Sequence, residues 1–242
     1  MSERRIFFEK NHPAHIISRA IEERNIFENK EDCCRFIFQI HAANIGKPAF
    51  KLWKKDLIEA AQYLLGGQEL SSKFIIKEHD PLVSILDFSL VINHYHFYLV
   101  PNTKKGVPLF MMKLNVGFAK YFNLKYNRKG SLFGGRYKSI PVKTEFQSNG
   151  VSRYVGVINP LDIYQPGWRE EGLRSWKGAF SFLEDYQFSS FPDKIGKRKS
   201  KIIASKEILE RYCSSNTLTK DEYYEFVQNF LKERSKKSIP RV

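Results

Sequence analysis

Residues 92 to 98 read Ile-Asn-His94-Tyr-His96-Phe-Tyr. Neutral imidazole is the commonest protein ligand for a metal ion, so paired histidines raise the question of whether they share a face. The flanks, Phe88-Ser-Leu-Val-Ile and Phe97-Tyr-Leu-Val-Pro101, are apolar, aromatic and β-branched, which favours a strand. Side chains two apart on a strand point the same way. His94 and His96 are therefore placed to hold one cation between them. Two half-buried histidines bonded to backbone would show the same spacing, and the neighbourhood has to decide.

That neighbourhood is one-sided in charge. Between Phe88 and Thr144 there is no Asp or Glu, while ten Lys and Arg residues occur. The whole chain of 242 residues carries a formal net charge of +14. An acid-free basic stretch sets up a field that attracts polyanions, nucleic-acid phosphates above all. Within it lies Asn127-Arg-Lys-Gly-Ser-Leu-Phe-Gly-Gly-Arg-Tyr-Lys138, a glycine-rich loop. Arg128, Lys129, Arg136 and Lys138 are suited to clamp phosphates, and Phe133 and Tyr137 to stack on unpaired bases.

The elements that must position these groups follow from periodicity. Ala14 to Arg19 has the character of a first strand, and 29–43 reads as a helix through Cys33, Phe36, Ile37, Ile40 and Ala43. Residues 46–80 form an excursion with a helix over about 50–65, stopped by Gly66-Gly67. Two antiparallel strands are expected over 83–92 and 94–100. A helix over 108–126 shows an apolar stripe of Leu109, Met112, Val116, Ala119, Phe122 and Tyr126. A short strand at 140–143 and a helix over 146–158, ending at Asn159-Pro160, complete the core. An irregular aromatic stretch runs from Pro166 to Phe191, then a basic arm over 194–201. Helices over 206–212 and 220–234, the second capped by Thr219, end the chain. The order strand, helix, strand, strand, helix, strand specifies an α+β fold, a ferredoxin-like antiparallel sheet with helices on one face and a C-terminal helical extension. The His pair then lies on an interior strand, with the other sheet face free for substrate.

Composition narrows the class. At 42% hydrophobic and 14% aromatic residues the chain is an ordinary folded protein. No apolar run approaches membrane-spanning length, and the N-terminus lacks a signal-peptide apolar region. Three cysteines make no disulfide framework, so a reducing cytoplasmic setting is expected.

Taken in order, His15-Ile-Ile-Ser-Arg19 with Asn25-Ile-Phe27, Asn93-His94-Tyr-His96, Ala119-Lys-Tyr-Phe-Asn123, Gly130-Ser-Leu-Phe-Gly-Gly-Arg136-Tyr-Lys-Ser139, Tyr154 leading to Asn159-Pro160, and Ser189-Ser190 run over nearly the whole chain. The sequence resembles the REP-associated tyrosine transposases, single-tyrosine members of the HUH nuclease superfamily related to insertion-sequence transposases. The resemblance implies a catalytic domain over 1–192, with 46–80 inserted, followed by a basic linker and helices over 193–242. It implies that Tyr154, one of 12 tyrosines, is the nucleophile of a DNA strand transferase acting on single-stranded or hairpin DNA. His94 and His96 would hold Mg2+ or Mn2+, with Asn159 as third ligand. Arg19, Lys120 and Asn123 would join the loop cations and aromatics in contacting DNA. The molecule would work as a monomer or homodimer away from membranes.

The chain departs from the family by one extra residue between Tyr154 and Asn-Pro. With Gly156 inside the helix, that residue points to a bulge. Two other readings stay open at this level. One is a catalytically inactive relative that binds DNA or RNA hairpins, and the other a hydrolytic phosphodiesterase that uses the His pair and water.

Overall fold

The structure is a computed structural model that describes residues 8–49, 52–214 and 218–235. Its elements are β1 (Ala14–Arg19), α1 (Lys30–Ile45), β2 (Gly46–Pro48), α2 (Lys54–Leu65), β3 (Ile75–Lys77), β4 (Val83–Val91), β5 (His94–Pro101), α3 (Gly106–Lys125), β6 (Lys138–Pro141) and α4 (Glu145–Arg153). A π turn (Tyr154–Ile158) leads into α5 (Asn159–Tyr164), followed by α6 (Trp168–Glu171), α7 (Trp176–Asp185), α8 (Phe191–Lys194), α9 (Lys206–Tyr212) and α10 (Lys220–Arg234).

The main sheet has the order β4-β5-β1-β6, with every pair antiparallel. This is the ferredoxin-like order, and it puts β1 and β5 in the middle. Alternation then divides their side chains between two faces. Ala14, Ile16, Tyr95, Phe97 and Leu99 point into the main core, where they meet Phe36, Ile37 and Ile40 of α1 and Phe110, Leu114 and Phe118 of α3. Burying each such large side chain stabilises the fold by roughly 1.5–3 kcal/mol. The other face carries His15, Ile17 and Arg19 of β1 opposite Tyr98, His96 and His94 of β5.

Asn29 caps α1 by accepting from the Asp32 amide, and Thr219 caps α10 within a capping box. The excursion also holds a two-stranded sheet of β2 and β3, which three-residue strands gave too little periodicity to reveal. Part of the expected helix at 50–65 falls on residues 50–51, outside the described residues; α2 itself begins at Lys54.

Several expectations need correction. The stripe expected on α3 faces outward at three positions, Leu109, Met112 and Val116, which are 40, 55 and 64% exposed. The helix buries Val107, Phe110, Met111, Leu114, Phe118 and Phe122 instead. Apolar residues lie on both sides of α3, so periodicity alone allowed either face, and the aromatic side won. The sheet face expected to be open is partly roofed. Val155 in the π turn packs on Leu86, Tyr98 and Val100, with α9 residues Ile208 and Leu209 alongside. The stretch after Pro166 is more regular than it reads, since it contains α7, capped by Ser175. Lys194, expected on a basic arm, lies inside, 3.0 Å from buried Asp87. Among the described residues, no helix is long and apolar enough to cross a membrane.

Candidate active site

The site is built where the central strands meet the turn after α4. β5 delivers His94 and His96 to one face, both buried, with ring centroids 4.9 Å apart. β1 adds His15 on the same face. Its Nε2 lies 2.9 Å from His96 Nδ1, and the two rings stack at 5.2 Å.

Tyr154 comes from above. It starts the π turn, in which the Asn159 amide donates to the Tyr154 carbonyl, five residues back. A π turn absorbs one residue more than an α-helical turn, which is the bulge that the extra residue and Gly156 led us to expect. Gly156 fits it closely: a Cβ there would stand 3.4 Å from both Asp87 Oδ1 and Ser190 Oγ. The turn does not end the helix. α5 continues through Pro160 to Tyr164, because the shifted hydrogen-bond ladder and the first turn of α5 tolerate a residue without an amide proton. The Tyr154 ring sits edge-on to both His15 and His96, 5.7 Å from each centroid.

Sequence reasoning placed Tyr154, His94, His96 and Asn159 together, and the fold brings all four to one locality. It missed two neighbours. His15 stood inside a quoted motif, but only the β1–β5 register reveals that it reaches His96. Arg169, on α6, has no signal in the sequence. Its guanidinium lies 5.3 Å from the Tyr154 ring centroid, donates to Asn159 Oδ1 at 3.1 Å and grips Asp162 at 2.6 and 2.9 Å. The Asn159 oxygen is therefore engaged by a cation, while its Nδ2 is buried without a partner.

Electrostatics hold the imidazoles neutral. Burial lowers His15 to about 4. Burial, with Arg19 and Arg169 nearby, lowers His94 to about 4. His96 lies well below the usual range through burial, the two other histidines and the same arginines. Burial works against the Arg169 charge, but the hydrogen bond and charge of Asp162 prevail and hold it above its ordinary value.

The donor set fits a divalent cation that arrives with its anion. His94 Nδ1 is 2.6 Å from Asn93 Oδ1, an oxygen that can only accept, so Nδ1 carries the proton and Nε2 is bare. His96 Nε2 is buried without a partner. Among the described residues no three His, Cys, Asp or Glu side chains are grouped to hold a metal ion. Two neutral imidazoles beside two arginines suit a cation whose remaining ligands are phosphate oxygens.

The expected DNA contacts separate into groups. Arg19 pairs across the sheet with His94, and Lys138 pairs with Ile17, on the site's face of the sheet. Both side chains are exposed, as are Lys129 and Arg136. Asn123 braces the loop, donating to the Gly130 carbonyl at 2.8 Å and accepting from Arg128 at 2.6 Å. Lys120 lines an open groove of about 650 Å³ with Arg35, Met112 and Val116, on the helical side of the sheet. Phe133 corrects the stacking expectation. It is only 6% exposed, bridges Ala20 through its backbone and packs edge-on to Tyr95 at 5.9 Å, so neither face is available to a base. Tyr137 is half-buried beside Phe8.

No protein-family model matches the chain, and no curated protein does. One solved structure is similar, described as a REP-associated tyrosine transposase bound to a REP hairpin. It is 12% identical, aligns over 81% of this chain and 87% of its own, and has a TM-score of 0.47.

Proposed function

We propose that this protein is a metal-dependent DNA strand transferase of the single-tyrosine kind, acting in the cytoplasm on single-stranded DNA flanked by a hairpin. The observation that carries the reading is the convergence of Tyr154, on its π turn, with the paired imidazoles of His94 and His96. The order of motifs along the chain supplies the reaction class.

In this reading the scissile phosphate lies between the Tyr154 hydroxyl and the His pair. Mg2+ or Mn2+ held by His94 and His96 would supply Lewis-acid stabilisation of charge on the phosphoryl oxygens. Tyr154 Oη attacks phosphorus in line. A tyrosyl–phosphate bond forms, a phosphate–sugar bond breaks, and the departing oxygen takes a proton to become a free hydroxyl. The ester is exchanged, so a second strand's hydroxyl can reverse the step without ATP. Arg169, above the tyrosine ring, places a fixed positive charge beside the reacting centre. Arg19 and Lys138 flank the face and draw in the backbone. Asn159 is the third ligand of the proposal, with one lone pair of its oxygen already taken by Arg169.

The reading is tested by incubating the protein and Tyr154→Phe with end-labelled hairpin-flanked DNA and Mn2+ on denaturing gels. A slow-migrating adduct in the wild type alone supports it. Cleavage without an adduct would point to hydrolysis, and binding without cleavage to a hairpin-binding relative.

A further inference from the structure

His15 has no role in the chemistry above, yet its ring lies within hydrogen-bond distance of the candidate ligand His96. It is buried, on the central strand β1, with its Nε2 2.9 Å from Nδ1 of His96. One of these two nitrogens donates and the other accepts.

The environment decides which. If His15 donated, neutral His96 would carry its proton on Nε2. That N–H would be buried with no acceptor, since His96 Nε2 has no partner. An unsatisfied buried donor or acceptor costs roughly 1–3 kcal/mol, and of the two only a bare nitrogen is favoured by the positive charges of Arg19 and Arg169 nearby. If His96 donates from Nδ1, its Nε2 becomes a bare lone pair instead. The neighbouring histidine is arranged alike, because Asn93 Oδ1 accepts from His94 Nδ1 and leaves that Nε2 bare. Asn93 is itself oriented by donating from Nδ2 to the Glu23 carbonyl at 3.3 Å. Two different acceptors on two elements thus act on the Nδ1 atoms of two adjacent histidines.

We infer that His15 is a positioning residue that fixes His96 as the Nδ1–H tautomer and presents its Nε2 to a divalent cation. The inference rests on the proposed metal-dependent reading for its purpose, but the tautomer stands or falls by itself. His15 is not a ligand, because its Nε2 is occupied by His96. Ligating imidazoles commonly have their second nitrogen fixed in this way, and losing such a partner typically weakens metal affinity by about 10- to 100-fold.

The test is long-range 1H–15N correlation spectroscopy of the histidine side chains in the metal-free, full-length protein at pH 7.5. The expected result is a protonated Nδ1 and a bare Nε2 for His96, and a protonated Nε2 there overturns the inference. In parallel, Mn2+ binding is followed by electron paramagnetic resonance. His15→Phe, which keeps a ring without an acceptor, should bind Mn2+ about 10- to 100-fold more weakly. His15→Gln, whose carbonyl can accept, should recover part of the loss. An affinity for His15→Phe equal to wild type contradicts the role. The wild-type spectrum needs no variant, so it decides even if His15→Phe does not fold. A failed DNA adduct with the expected tautomer would sink the transferase reading alone. An adduct with the opposite tautomer would sink only the role of His15.

Discussion

The ring of Tyr154 stands edge-on to that of His96, with centroids 5.7 Å apart and planes crossing at 78°. The two belong to different elements, the π turn after α4 and the central strand β5, and are 58 positions apart in the chain. Neither would meet the other without the sheet order that makes β5 central and the extra residue that sets the turn.

Arg169 should matter almost as much as the histidines. Its guanidinium is held over Tyr154 by a two-pronged grip on Asp162. Arg169→Ala is expected to slow single-turnover adduct formation by about 100-fold, the usual scale for removing a preorganised charge partner. Arg169→Lys should restore little, because an ammonium cannot span Asp162, Asn159 and the ring together. A rate for Arg169→Ala within threefold of wild type would remove this residue from the mechanism.

Stability of the metal-free protein should fall on acidification. His15 and His94 sit at about 4 in the folded state, below the ordinary 6.5. Between those values the unfolded chain binds protons that the folded one refuses, so unfolding gains as pH drops. The contribution is fully present above 6.5 and lost progressively toward 4, at about 1.4 kcal/mol per pH unit per histidine. Urea denaturation at pH 7.5, 6.5, 5.5 and 4.5 measures it. His94→Phe should flatten the slope, and an unchanged slope would speak against the burial argument.

The π turn rests on a buried ion pair. Asp87, at the bulge in β4, lies 3.0 Å from Lys194 and accepts from Ser190 at 2.7 Å, directly beneath Gly156. Lys194→Met leaves a buried carboxylate alone and should cost about 3–5 kcal/mol in denaturant unfolding. Adding Asp87→Leu should recover much of that loss. A double variant no better than the single would show that the pair is not what couples α8 to the sheet.

Arg19 and Lys138 should act on backbone phosphates rather than on bases. Replacing either with Ala is expected to weaken hairpin binding about equally across sequences. It should also lower the slope of log affinity against log salt by about one. A sequence-dependent loss would instead make that residue a base reader.

Much of this was legible in the sequence, for physical reasons that particular residues make plain. A strand's period of two put His94 and His96 on one face, and one residue too many before Asn159-Pro160 announced the bulge under Tyr154. The outward face of α3 misled because Leu109, Met112 and Val116 are as apolar as the face it buries. Phe133 misled because alternation with cations in a loop says nothing about depth, and its ring fills the space beside Tyr95. His15 enters the site only through strand register, and Arg169 only through the fold-back of α6 onto α5. Those are tertiary facts without a local signature.

If one tyrosine becomes covalently joined to DNA, mapping the adduct identifies which. The protein would be reacted with hairpin-flanked single-stranded DNA and Mn2+, digested with nuclease and trypsin, and its peptides sequenced by mass spectrometry. A nucleotide remnant is expected on the peptide containing Tyr154 and on no other. Cleaved DNA with Tyr154 unmodified, or a remnant on Tyr137 or Tyr164, would contradict it.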